Sequence, residues 1–166
     1  MKKVVFKISI LPLIKVIAAS FTHIFFAVVL LIIASLYGYF PTLCTVQVVY
    51  YTICLFVLVL GLCFTTSAVV VFFKDLQQII AIGLQLGMWA TPILWDLNML
   101  SPTMQKVMSI NPLVYVVQGY RNAVYGNQWF FEDVAGTIYF WVVTILLFVF
   151  GAFVFKRLKV HFADVL

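Results

Sequence analysis

MWATPILWDLNMLSPTMQKVMSINPLVYVVQGYRNAVYG, residues 88–126, decides how this chain is built. It lies between two strongly apolar runs and carries Pro92, Pro102 and Pro112, three of the chain's five prolines. It is too polar to cross a bilayer comfortably and too apolar for an ordinary loop. Two short amphipathic pieces fit between the prolines, 101–110 and 112–126. Pro102 and Pro112 fall at helix starts, where a missing N–H costs little. Asn111 is placed to cap the second piece. There Leu113, Val116, Val117, Tyr120 and Val124 recur at helical spacing, with Gln118, Arg121 and Asn122 on the polar side. Two readings follow. The pieces are half-helices that dip back into the outer leaflet, allowed only where they pack in protein or line a wet cavity. Alternatively they form an interfacial hairpin, with Trp89, Trp95, Tyr115 and Trp129 in the aromatic belt.

The flanking sequence settles the class. The chain of 166 residues is 66% hydrophobic and only 9% charged, against about 45–50% and about 25% in soluble domains. So few charges cannot cover a water-soluble surface of this size. The fold class is therefore all-α integral membrane: four transmembrane helices plus two short re-entrant or interfacial helices on the outer side, in a single transmembrane domain, 1–166. Spans are expected at 16–39, 46–73, 79–95 and 135–155, each near the about 20 residues a bilayer requires. FPTLCT (40–45) is a turn in which Pro41 ends the first helix, and KDLQQ (74–78) is a short polar break. Gly83 and Gly87 stand four apart in the third run.

Charge sets the expected orientation. Lys2, Lys3, Lys7, Lys15, Lys74, Lys156, Arg157 and Lys159 fall to one side, and Lys106 and Arg121 to the other. The cation-rich side is cytoplasmic. Both termini lie there, 1–15 is a cytoplasmic loop and coupling region, 96–134 is an extracellular gate region, and 156–166 is a cytoplasmic tail. The net charge of +5 reads as topology signal and lipid headgroup contact rather than nucleic-acid binding, because the cations flank apolar runs. Lys7, Pro12 and Lys15 interrupt the N-terminal apolar run, so no secretory signal is expected.

Chemistry-bearing motifs are sparse. Cys44, Cys54 and Cys63 form no metal-ligand spacing, and no metal or cofactor is expected in this chain. There is no GxxxxGK[ST] loop, so ATP hydrolysis belongs to another chain. No nucleophile elbow is present either, and the chain is not read as an enzyme. Glu132 and Asp133 are adjacent and point apart, which argues against paired acid–base chemistry. His23 lies within a span and is read as a neutral group bonded to a neighbouring helix. Arg121 offers phosphate a bidentate guanidinium, or anchors its helix to headgroups.

FKDLQQI, ATPILW, INPLVYVVQGYRNAVYG and the ending KRLKVHFADVL together resemble the ABC-2 type permease family, and within it the teichoic acid export permeases of Gram-positive bacteria, relatives of the O-antigen exporters. The resemblance covers nearly the whole chain. It implies a plasma-membrane permease that exports a lipid-linked anionic polysaccharide, most narrowly teichoic acid, as a homodimer with an ABC ATP-binding subunit that uses the ATP. It also implies that Phe6, Lys7, Lys74 and Asp75 lie near the ATPase-docking surface. Pro92, Trp95, Asn111, Pro112, Tyr115, Tyr120 and Arg121 would then form the outer gate or substrate path. The family has six spans, and this chain resembles the last four, with Met1 at the loop between spans two and three. It therefore reads as a truncated or split permease, and a fragment without independent transport is the alternative. The same machinery with another polysaccharide, a lipid or a drug is a third reading. FKISILP, 6–12, departs from the family's Phe-Pro-Arg-Glu-Ile-Leu-Pro: Lys7 and Ser9 replace the early Pro and the Glu, and Pro12 is retained.

Overall fold

The computed structural model describes residues 2–73, 75–126 and 128–158, with the side chains of 2–9 outside that description. The described residues are helices and turns, without a strand. Helix α1 spans Lys2–Leu36, α2 Gln47–Val70, α3 Leu76–Ala90, α4 Pro102–Met108, α5 Pro112–Arg121 and α6 Val134–Leu158. A 3-10 turn, Leu43–Val46, leads into α2, and a π turn, Asn122–Gly126, follows α5.

Three stretches are long and apolar enough to cross a membrane: Ile10–Leu36, Leu43–Val70 and Val134–Leu158. The expected third span differs. α3 has only 15 residues, about 22 Å at 1.5 Å per residue, against a hydrocarbon core of about 30 Å. Pro92 is the cause. The residue before a proline is pushed out of the α region, and Thr91 has φ −85° and ψ 136°. The apolar ILW that follows is turn rather than helix.

Two further boundaries move for physical reasons. α1 does not stop at Pro41. Gly38 ends it with φ +92°, a left-handed conformation that glycine adopts without strain. Tyr39 N–H donates to Ala34 O at 2.9 Å and Gly38 N–H to Ser35 O at 3.1 Å, the paired bonds of a glycine-capped helix end. At the other end α1 is already helical at Lys2, where a loop was expected through Lys15, and Pro12 lies inside it. Such prolines are tolerated where neighbouring groups re-satisfy the freed carbonyl.

The bundle is built on α2 and α6, which run parallel. Tyr50 pairs with Trp141, Gly61 lies against Phe148, and Ala68 packs with Phe155. Glycine permits this approach: a Cβ at Gly151 would lie 2.5 Å from Gly61 O and 2.7 Å from Thr65 Oγ1. Small residues replace the hydrophobic effect as the means of helix association in lipid. α1 runs antiparallel along α2, with Ala34 beside Val48, and leaves most of its apolar side chains exposed. α3 buries no residue. Hydroxyls on α2 return to their own helix: Thr52 donates to Val48 O at 2.8 Å and Thr66 to Leu62 O at 2.9 Å. This satisfies them where water is excluded.

Candidate functional site

Residues 91–126 and 128–133 gather at the end of the bundle where α2 and α6 begin. α5 is inserted among the helices rather than laid across their ends. Its Tyr120 meets His23, thirteen positions before Leu36, the last residue of α1, which is a rise of about 20 Å. Val114 and Val116 are buried on α5, and Gly119 is buried with the Tyr51 ring directly against it. Of the face expected at Leu113, Val116, Val117, Tyr120 and Val124, all but Val117 pack into the core clusters. Val117 lines a hollow with His23 and Arg121, and Val114 is buried on another side of the helix.

The helix starts follow the expected chemistry. Pro102 and Pro112 occupy the first turns of α4 and α5. Asn111 caps α5, its Oδ1 accepting from Leu113 N–H at 3.0 Å. Its Nδ2 donates to Thr91 Oγ1 at 3.0 Å, and Thr91 donates to Gly87 O at 2.7 Å. Thr91 and Pro92 are fully buried. The cap of α5 is thus locked to the end of α3. Arg121 makes the second lock: its Nη2 donates to Ile93 O at 3.2 Å and to Trp95 O at 2.8 Å. Trp95 Nε1–H donates to Trp89 O at 3.0 Å. Nη1 of Arg121 is buried without a partner among the described residues. The guanidinium therefore holds the turn after α3.

Two hydrogen-bond chains fix α5 to the spanning helices, and donor supply sets their direction. In the first, Thr52 gives its single proton to Val48 O, so Tyr120 must donate to Thr52 Oγ1, 2.6 Å away. His23 Nε2–H then donates to Tyr120, 2.7 Å away, which requires the Nε2–H tautomer. His23 is bonded to a neighbouring helix, as expected. Burial raises the Tyr120 phenol above its ordinary value, which keeps its proton in place. In the second chain, Thr137 donates to Phe130 O at 2.9 Å and Tyr115 to Thr137 Oγ1 at 2.8 Å. Tyr50 donates to Tyr115 at 3.3 Å, and Trp141 Nε1–H to Tyr50 at 2.9 Å. Such chains are stiff because each hydroxyl has one proton to give.

Gln47 was not anticipated. It is 3% exposed and holds the loop before α6 by both ends: Nε2 donates to Gln128 O at 3.0 Å, and Phe130 N–H donates to Oε1 at 2.6 Å. Its signal in the sequence was a lone amide in an apolar run. Glu132 and Asp133 have local roles. Glu132 Oε1 accepts from Trp129 N–H at 3.0 Å, and Asp133 Oδ1 accepts from Gly136 N–H at 2.9 Å at the start of α6. A carboxylate is favoured at that helix end.

Of the candidate coupling residues, Phe6, Lys7 and Asp75 lie at the opposite end of the bundle. Asp75 is exposed at the start of α3. Phe6 and Lys7 stand in the first turns of α1, and their side chains lie outside the described residues, as does Lys74. The structure does not bring Phe6, Lys7 or Asp75 near the α5 end. Among the described residues no group of His, Cys, Asp or Glu is arranged to hold a metal. Cys44, Cys54 and Cys63 are free thiols.

The ABC-2 type transporter family model matches residues 2–125. The chain belongs to the ABC-2 type transporter family. It is similar to the O-antigen export system permease protein RfbA of Klebsiella pneumoniae, 27% identical over 166 residues, 99% of this chain and 63% of that protein. A second Klebsiella pneumoniae protein of that description is 24% identical over the same shares. The RfbA of Myxococcus xanthus is 24% identical over 164 residues, 98% of this chain and 62% of that protein. This ABC-2 type chain thus spans less than two thirds of the length of these relatives. The family match runs through α5 to Tyr125, so the locks at Asn111 and Arg121 fall within it.

Proposed function

We propose that the chain forms the membrane part of a permease subunit that exports a lipid-linked surface polysaccharide, driven by a separate ABC ATP-binding subunit. The observation that carries this reading is the depth of α5. A polar-edged helix bearing Gln118 and Arg121 is bonded through Tyr120 to His23 and Thr52 inside the bundle. Non-spanning backbone at that depth packs in protein or lines a wet cavity, and the polar cleft beside Gln118 and Asn122 supports a pathway there. In this reading the α5 end faces outward, and both termini face the cytoplasm with the cations. The turn 91–95, α4 and α5 form the outer gate, and Arg121 and Asn111 position it. Two permeases pair to enclose the path. Asp75, Lys74, Phe6 and Lys7 face the ATPase, which supplies all nucleotide chemistry.

The relatives are named for O-antigen export. Teichoic acid is the narrower alternative, and it rests on the motif resemblance. The reading is tested by deleting the chain in its native cell, restoring it from a plasmid, and quantifying surface polysaccharide. Loss on deletion and recovery on restoration are expected; unchanged surface polymer overturns the proposal. Pull-down through a C-terminal tag, with mass spectrometry, is expected to recover an ATP-binding subunit. The alternative is a split permease or a fragment without independent transport. Recovery of a small two-span protein would make it half of a split permease.

A further inference from the structure

The outer end carries a cleft of about 430 Å³ between α5, the loop 128–133 and the start of α6. Small-molecule sites fall in the range of about 300–1,000 Å³. Its walls combine three chemistries. Trp129 and Tyr139 contribute aromatic rings. Gln118 and Gln128 contribute side-chain amides. Glu132 and Asp133 contribute carboxylates, each held by one oxygen to a backbone N–H. Among the described residues no lysine or arginine lines it. Arg121 lies on the other side of α5, lining a separate hollow with His23, Phe26 and Leu30.

We infer that this cleft is a glycan subsite that takes uncharged sugar units and rejects phosphodiesters. The inference rests on the export reading and narrows its substrate. Sugar C–H faces, slightly positive, stack on the negative face of an aromatic ring. Sugar hydroxyls both donate and accept, which suits amides and carboxylates. Two carboxylates without a cation set a negative local potential, which repels a phosphate. The cleft is also stiff: Gln47 pins the loop at Gln128 and Phe130, and Tyr139 donates to Ile110 O at 2.7 Å. Preorganised walls favour a weak ligand such as a sugar. A polymer that leaves beside α5 meets this cleft on its outer side. Neutral repeating units of the O-antigen kind are retained there, whereas a glycerol-phosphate chain is not.

The test uses the full chain in nanodiscs of its native membrane lipids. Binding of a mannose oligosaccharide, a galactose oligosaccharide and a glycerol-phosphate oligomer of equal length is measured by calorimetry at low ionic strength. At least one neutral oligosaccharide is expected to bind about tenfold more tightly than the phosphate oligomer. Trp129→Ala and Gln118→Ala are each expected to weaken that binding, about tenfold for the tryptophan. Glu132→Gln combined with Asp133→Asn keeps both backbone bonds and is expected to narrow the gap between neutral and phosphate ligands. Equal or tighter binding of the phosphate oligomer, no binding of either neutral oligosaccharide, or neutral binding indifferent to Trp129→Ala overturns the inference. Failure of the export reading shows separately, as surface polysaccharide that survives deletion of the chain.

Discussion

The ring of Tyr51 lies directly on Gly119, at the place where any other residue of α5 would carry a Cβ. Both residues are buried, and Tyr51 is 4% exposed. The ring therefore has nowhere to turn. Gly119→Ala is expected to destabilise the protomer by about 1–3 kcal/mol, as overpacking does. In detergent this reads as a lower unfolding temperature. Tyr51→Leu in the Gly119→Ala background is expected to recover part of the loss, since contacting residues couple. Equal stability of Gly119→Ala and the unmodified chain would mean that α5 does not press on α2.

Glycines elsewhere sort by what faces them. Gly151 faces the backbone oxygen of Gly61, which cannot yield as a side chain can. Gly151→Ala is expected to cost more than Gly119→Ala. Gly83 and Gly87 on α3 face open space. Alanine there is expected to leave the isolated protomer as stable or more so, because it favours helix by about 1 kcal/mol over glycine. If α3 meets a second permease, Gly83→Ala and Gly87→Ala lower the dimer fraction in crosslinking while leaving the unfolding temperature intact. An unchanged dimer fraction removes α3 from that interface.

Much of the α5 end could be read from local sequence. Asn111 followed by Pro112 announces a capped start, and the structure uses both as expected. Four of the five residues expected on the packing face of α5 pack as expected, all but Val117, for the same reason: helical period is a local property. What lay beyond reach was pairing at a distance. Nothing near Arg121 in sequence points to the carbonyls of Ile93 and Trp95, and Tyr50, Tyr115, Thr137 and Trp141 are joined only by the fold. The expected third span overruns α3 because apolar composition continues through ILW, although Pro92 disfavours helix at Thr91. Pro41 drew attention from Gly38, whose positive φ completes the cap. The cleft was invisible as a unit, because its walls come from α5, a loop and α6.

His23 and Tyr120 form a pair whose strength can be measured. His23→Leu and Tyr120→Phe each break the chain that ends at Thr52. A double-mutant cycle on unfolding in detergent is expected to give a coupling near the roughly 0.6 kcal/mol average for polar pairs between membrane helices, and below about 1.7 kcal/mol. His23→Gln keeps a donor on a shorter side chain and is expected to fall between the unmodified chain and His23→Leu. Coupling of zero would mean that the two groups do not bond in the membrane.

Arg121 is expected to act by holding the turn after α3. Arg121→Ala removes both bonds to Ile93 and Trp95, so amide hydrogen exchange through 91–95 should quicken while α2 and α6 keep their protection. Polymer at the surface should fall several-fold with normal protein abundance. Arg121→Lys keeps the charge but loses the planar fork, and is expected to recover only part of the protection. Full recovery by lysine would assign the effect to charge alone, and unchanged exchange in Arg121→Ala would remove the clamp.

Asn111 joins two roles that separate by substitution. Its Oδ1 caps α5, and its Nδ2 donates to the buried Thr91. Asn111→Ala loses both. The cap alone is worth about 1 kcal/mol, and the lost bond to the buried Thr91 oxygen adds to it. Asn111→Asp keeps the cap, and a negative charge at the helix start is favourable. It also replaces the donor by a second acceptor, opposite a Thr91 oxygen whose proton already goes to Gly87 O. Two lone pairs then face each other in a buried site. Asn111→Asp is therefore expected to preserve exchange protection in the first turn of α5 and to loosen 91–95, whereas Asn111→Ala loosens both segments. If Asn111→Asp matches the unmodified chain at 91–95, the bond to Thr91 carries no part of the link between α3 and α5, and Arg121 alone closes it.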